Sequence, residues 1–92
     1  MKKRILHLAL KEVYFRRIER GEKLFEYRRK TPHWRKRIEN RVYDEIHLTL
    51  GYPKKGDPER TLIRPWRGYE EPTITHEHFN MVPEEVFALR VN

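Results

Sequence analysis

Val42, Ile46, Leu48 and Leu50 share one face of an extended chain, with Tyr43, Glu45, His47 and Thr49 on the other. Successive side chains of a strand point to opposite sides, so this stretch predicts a half-buried strand. Residues 4–10 are short and aliphatic and predict a second, buried strand. Over residues 11–20 the period lengthens: Tyr14, Phe15 and Ile18 gather on one side, with Arg16, Arg17 and Arg20 around the other, as in an amphipathic helix. Gly21 follows as the helix stop, because it enters left-handed backbone without a Cβ penalty.

Residues 23–30 are charged, aromatic and β-compatible, with Phe25 and Tyr27 facing one way and Glu26 and Arg28 the other. This strand is expected to have a polar working face. Thr31-Pro32 has the form of an N-cap followed by a first-turn proline, and Trp34 and Ile38, four apart, give a short helix over residues 33–40 its buried edge. Residues 51–59 form a turn-rich loop. Residues 60–67 predict a strand whose Pro65 belongs near an edge or a bulge, and β segments follow at 73–79 and 86–91. The order β, α, β, short α, then mostly β predicts an α+β fold, a small barrel with one main helix and a short second helix at one side.

A chain of 92 residues allows one domain, here residues 1–92. Hydrophobic residues are 37% and charged residues 38%, so the core is thin, but 12% aromatic residues supply enough large rings to bury. The absence of Cys removes disulfides, thiolate metal sites and Cys nucleophiles, and makes the cytoplasm the expected location. The basic N-terminus has an apolar run only from Ile5 to Leu10, broken by His7, too short for a signal peptide. No window approaches the ~18–20 apolar residues of a membrane span.

Net charge is +7, and its distribution is uneven. Residues 1–41 carry 15 Lys and Arg against 5 Glu, or +10; residues 42–92 carry 6 against 9 acidic residues, or −3. A basic half of this kind suits an anionic partner, nucleic acid before membrane.

Within that half, Gly21, Lys23, Glu26 and Arg28 form the pattern G-x-K-x-x-E-x-R where the helix gives way to the strand. Two cations flanking one carboxylate can hold an anion or the polar edge of a base, and the carboxylate can accept an amino group or a proton. A surface ion-pair cluster, worth ~0–1 kcal/mol, is the alternative.

The pattern and its setting resemble the ASCH superfamily, small domains with a PUA-like β-barrel, whose hallmark is this element between the first helix and second strand. The motif match covers residues 18–28 and the order of elements most of the chain. The resemblance implies a groove beside the motif that takes RNA, a nucleotide or a modified nucleoside. One branch hydrolyses the acetyl amide of acetylated cytidine through the motif Lys, a Thr three residues on and a later Glu. This chain has Lys23 but carries Glu26 at the Thr position, and a carboxylate supplies no hydroxyl. For the ribonuclease activity also proposed in the family, the candidates are Lys23, Glu26 and Arg28, with no identified His partner.

The expectation is therefore a domain that binds RNA or a nucleotide in a basic groove. Lys23 and Arg28 neutralise phosphate or a base carbonyl, and Glu26 orients Arg28 and reads an amino group. Arg16, Arg17, Arg20, Arg29, Arg35 and Lys36 add phosphate attraction. Lys23 and Arg28 are expected to be replaceable without loss of folding. Tyr52 and Trp66, among Pro53, Lys54, Lys55, Arg64 and Arg67, are the base-stacking candidates. Trp34, Phe15, Phe25, Phe79 and Phe87 are assigned to the core. The alternatives are a small hydrolase acting on a modified nucleoside or on RNA, catalysed by Lys23 and Glu26, and a protein-interaction domain. In the strand expected at 73–79, His76 and His78 would point to one face, but no third ligand is visible in the sequence, so no metal is assigned, and no cofactor is called for. His7, His33 and His47 are scattered singly and carry no role.

Overall fold

The aliphatic stretches near residues 5 and 45 lie side by side in space. In the computed structural model, which describes residues 2–52, 57–75 and 80–92, β1 (Ile5–Leu10) runs parallel to β3 (Glu45–Leu50). The edge strand β4 (Thr61–Pro65) adds antiparallel to β3, with Pro65 at its end. Register pairs Leu6, Leu8 and Leu10 with Ile46, Leu48 and Leu50, so one face of this sheet is a continuous aliphatic surface. A parallel pair needs a long crossover. Here α1 (Glu12–Glu19), β2 (Phe25–Arg29) and α2 (Pro32–Ile38) supply it.

The core forms where α1 sets Phe15 and Ile18, both fully buried, against Leu6, Leu8, Ile46 and Leu48. The helix ends as the sequence predicts. Arg20 is its C-cap and Gly21 takes φ +76°, so that Gly21 N–H reaches the Ile18 carbonyl and Glu22 N–H the Arg17 carbonyl. That is the two-bond Schellman closure, which requires left-handed backbone at the glycine. Thr31 caps α2 by accepting from Trp34 N–H at 3.3 Å, with Pro32 in the first turn, again as predicted.

A second sheet has the order β2, β7 (Glu84–Arg90), β5 (Tyr69–Glu70), with β6 (Thr73–Ile74) also paired to β7. Val86, Phe87, Ala88 and Leu89 are all buried, the unbroken apolar run of a strand covered on both faces.

The α+β class with two helices holds, but the described strands do not close into a barrel. Among the described residues β1 pairs with β3 alone and β2 with β7 alone, and β5 and β6, two residues each, are too short to bridge the sheets. Val42 lies before β3 and is exposed. Of the segment 73–79 only β6 is described; His76, His78 and Phe79 lie outside the described residues, as do Pro53, Lys54 and Lys55. No helix among the described residues is long and apolar enough to cross a membrane.

Candidate functional site

The chain leaving α1 is pinned before it becomes β2. Asn92 Nδ2 donates to the Ile18 carbonyl at 2.9 Å and to the Lys23 carbonyl at 2.7 Å, which fixes the backbone on which Lys23 sits. Three residues on, Glu26 is 6% exposed and is the one buried charged residue among those described. The polar face expected of β2 is thus turned inward. Burying a lone carboxylate is very costly, and this one is compensated twice. Its Oε2 accepts from Arg28 Nη1 at 2.5 Å, and its Oε1 lies 3.7 Å from Lys23 Nζ.

Arg28 is held by more than Glu26. Nη1 also donates to the Tyr27 carbonyl at 2.8 Å and Nη2 to the Ala9 carbonyl at 3.0 Å, and the guanidinium lies over the Trp34 ring, 5.2 Å from its centre. Lys23 Nζ sits 4.7 Å from the centre of the Tyr27 ring and 5.4 Å from that of Tyr14. Burial holds the Lys23 ammonium below its usual pKa, with Arg17 and Arg28 pushing the same way and Glu26 pulling against them.

All three motif side chains line one cleft of about 1550 Å³, beyond the ~300–1,000 Å³ of most small-molecule pockets. β1, β3 and β4 give it two register rows, His7, His47 and Ile63, then Ala9, Thr49 and Thr61. α2 contributes His33, Trp34 and Arg37, and Tyr52, 96% exposed, stands at the loop side. Six Lys and Arg line the cleft (Lys11, Lys23, Arg28, Arg29, Arg37, Arg64) against the two carboxylates Glu26 and Asp57, so its field is basic.

Other sequence candidates fall elsewhere. Arg16 pairs with Glu12 at 3.8 Å and Glu19 at 3.1 Å, and Arg20 with Glu22 at 2.9 Å; neither lines the cleft, nor does Arg17, because α1 turns its basic face away from it. Arg35 pairs with Glu39 at 2.9 Å, and Lys36 is exposed beyond the cleft lining. Gly21 serves the turn rather than a ligand. Trp66 packs against the core, edge-on to Tyr43 at 5.2 Å, and offers no free stacking face in the cleft. Trp34, assigned to the core from sequence, packs half-buried against it and also lines the cleft, while Ile38 is the fully buried residue of α2.

Sequence reasoning passed over His7, His33 and His47, which all line this cleft. Their polar-face positions were legible; the parallel pairing that brings His7 beside His47 was not. Among the described residues no group of three or more His, Asp or Glu is placed to hold a metal ion. Comparison with protein-family models, with curated proteins and with solved structures returns no match.

Proposed function

We propose that this chain is an ASCH-like, PUA-type domain that binds RNA or a nucleotide in the basic cleft, in the cytoplasm. The carrying observation is that Lys23, Glu26 and Arg28 line a single cleft with a four-charge excess of cations and one exposed ring, Tyr52. Its volume favours several linked nucleotides over one small molecule. Since Glu26 and Arg28 satisfy each other, they stiffen the wall, while Lys11, Arg37 and Lys23 supply the attraction to phosphate and Tyr52 a surface on which a base can stack.

The test is a titration of labelled single-stranded RNA at several ionic strengths, with a mononucleotide as competitor. Affinity should fall steeply with salt, the logarithmic slope being about −0.7 per phosphate contact. Affinity indifferent to salt refutes the electrostatic reading, and a mononucleotide that competes at equal concentration points to a nucleotide site instead. The lowered pKa of Lys23 beside a buried carboxylate favours one second reading, amide hydrolysis on a modified nucleoside. Release of cytidine from acetylated cytidine, abolished by Glu26→Gln, would establish it.

A further inference from the structure

We propose that the cleft cleaves the RNA it holds, with His7 and His47 as a general acid–base pair and Glu45 as the positioning residue for His47. This rests on the RNA reading above and uses residues outside the Lys23, Glu26, Arg28 cluster. The parallel register sets His7 directly beside His47, and their rings meet edge to face with centres 5.4 Å apart. Both line the basic cleft. Two imidazoles so close, on the wall of a polyanion site, can touch one phosphodiester at the same time.

Their surroundings differ, which separates their roles. His47 Nε2 lies 3.1 Å from Glu45 Oε1, and Lys3 Nζ lies 3.1 Å from the other oxygen of that carboxylate. The His47 contact, and after it Lys3, hold the Glu45 carboxyl below its usual range, so it stays an anion. An anionic Glu45 accepts Nε2–H, leaves Nδ1 of His47 for proton traffic and serves as counter-ion when that ring is protonated. His47 is therefore the acid. His7, exposed on the cleft wall beside it, takes the part of the base. On β4 the register neighbour of His47 is the apolar Ile63; the cations placed around the pair are Lys3 at Glu45 and Arg28 at the Ala9 carbonyl.

The chemistry needs no added reactant, because RNA carries its own nucleophile. Neutral His7 takes the proton of a ribose 2′-hydroxyl as its oxygen bonds to the adjacent phosphorus. The bond from phosphorus to the 5′-oxygen of the next nucleotide breaks, and protonated His47 gives that oxygen its proton. The products are a 2′,3′-cyclic phosphate and a free 5′-hydroxyl, and proton exchange with water restores the pair.

The experiment incubates the full chain, in EDTA, with an end-labelled single-stranded RNA and separately with the dinucleotide UpA at millimolar concentration. RNA affinity is measured in parallel. Scission to 2′,3′-cyclic ends is expected for RNA, and none for the same sequence as DNA. His7→Ala and His47→Asn should each lower the rate about 10²–10⁴-fold, while Arg41→Ala, purified identically, should leave it unchanged. Glu45→Ala should lower the rate with RNA affinity unchanged, and Glu45→Gln, which keeps an acceptor for His47 Nε2–H, should restore much of it. Absence of scission of both substrates overturns the dyad whether or not RNA binds, as does scission that survives the His substitutions or needs a divalent metal. Cleavage of UpA without affinity for the longer RNA keeps the dyad and refutes the binding reading.

Discussion

Arg28 Nη2 donates to the Ala9 carbonyl at 3.0 Å, fastening β2 to the edge of β1 that faces away from β3, where no ladder joins the two strands. Its other amino group lies 2.5 Å from Glu26. The arginine of the motif is therefore a strut between the sheets as well as the partner of a buried carboxylate.

Arg28→Ala should consequently destabilise the fold by about 3–5 kcal/mol, the usual cost of leaving one member of a buried pair uncompensated. This replaces the expectation from sequence that Arg28 can be removed without loss of folding. Urea unfolding followed by tryptophan fluorescence measures it. Replacing all three charges, Lys23→Met, Glu26→Leu and Arg28→Met, should recover much of the loss, because no member of the cluster is then left buried without its partner. A single variant as stable as the parent shows that the pair is solvated and the strut absent.

Much of the architecture was readable because it obeys local rules. α1, its glycine stop, the Thr31 cap and the alternation of β3 each follow from a period or a capping preference within a few residues. The burial of Glu26 was not readable. The alternation of Phe25 and Tyr27 with Glu26 and Arg28 says which residues share a face but not which face is covered, and here the polar one turns inward, with Arg28 reaching the Ala9 carbonyl of β1. Likewise His7 and His47 are forty residues apart, and only the parallel crossover puts them together. The closed barrel was inferred from the number of β segments, whereas closure depends on their lengths and pairings, which side-chain alternation does not encode.

Lys23 gives the fold a pH dependence of definite sign. Its folded pKa lies below 10.5, chiefly through burial, so between that lowered value and 10.5 the unfolded chain binds more protons than the folded one. Stability must rise with pH across this window. The contribution is complete above 10.5 and is lost as pH falls through the folded value. Urea midpoints measured up this range should climb more steeply for the parent than for Lys23→Met. Equal slopes would mean that burial does not perturb this ammonium.

The two rings proposed from sequence for stacking should now part company. Tyr52→Ala removes a side chain that is 96% exposed, so stability should change by no more than about 0.5 kcal/mol, while RNA affinity should fall by about 1–3 kcal/mol if one base stacks there. Trp66→Ala should do the reverse, costing about 2–3 kcal/mol of stability, somewhat less than the ~3–5 of a fully buried ring. Paired melts and RNA titrations decide it. An affinity loss confined to Trp66→Ala would place the stacking surface away from the cleft described here.

Gly21 holds φ +76°, and a Cβ built there meets nothing within 4 Å, so any cost of substitution arises in the backbone rather than in packing. An L-residue in left-handed backbone loses about 1–2 kcal/mol, and Gly21→Ala should lower stability by about that amount. Gly21→Asn should cost less, because its short polar side chain tolerates that region. The strain falls on the closure of α1, where Glu22 N–H meets the Arg17 carbonyl, and on the following residue, whose own carbonyl is clamped by Asn92. Hydrogen exchange should therefore accelerate first at the amides of Gly21, Glu22 and Lys23 in Gly21→Ala, ahead of β3. If Ala and Asn cost the same, packing rather than backbone conformation governs the position. Protection lost uniformly across the chain would show that the helix stop has no local opening of its own.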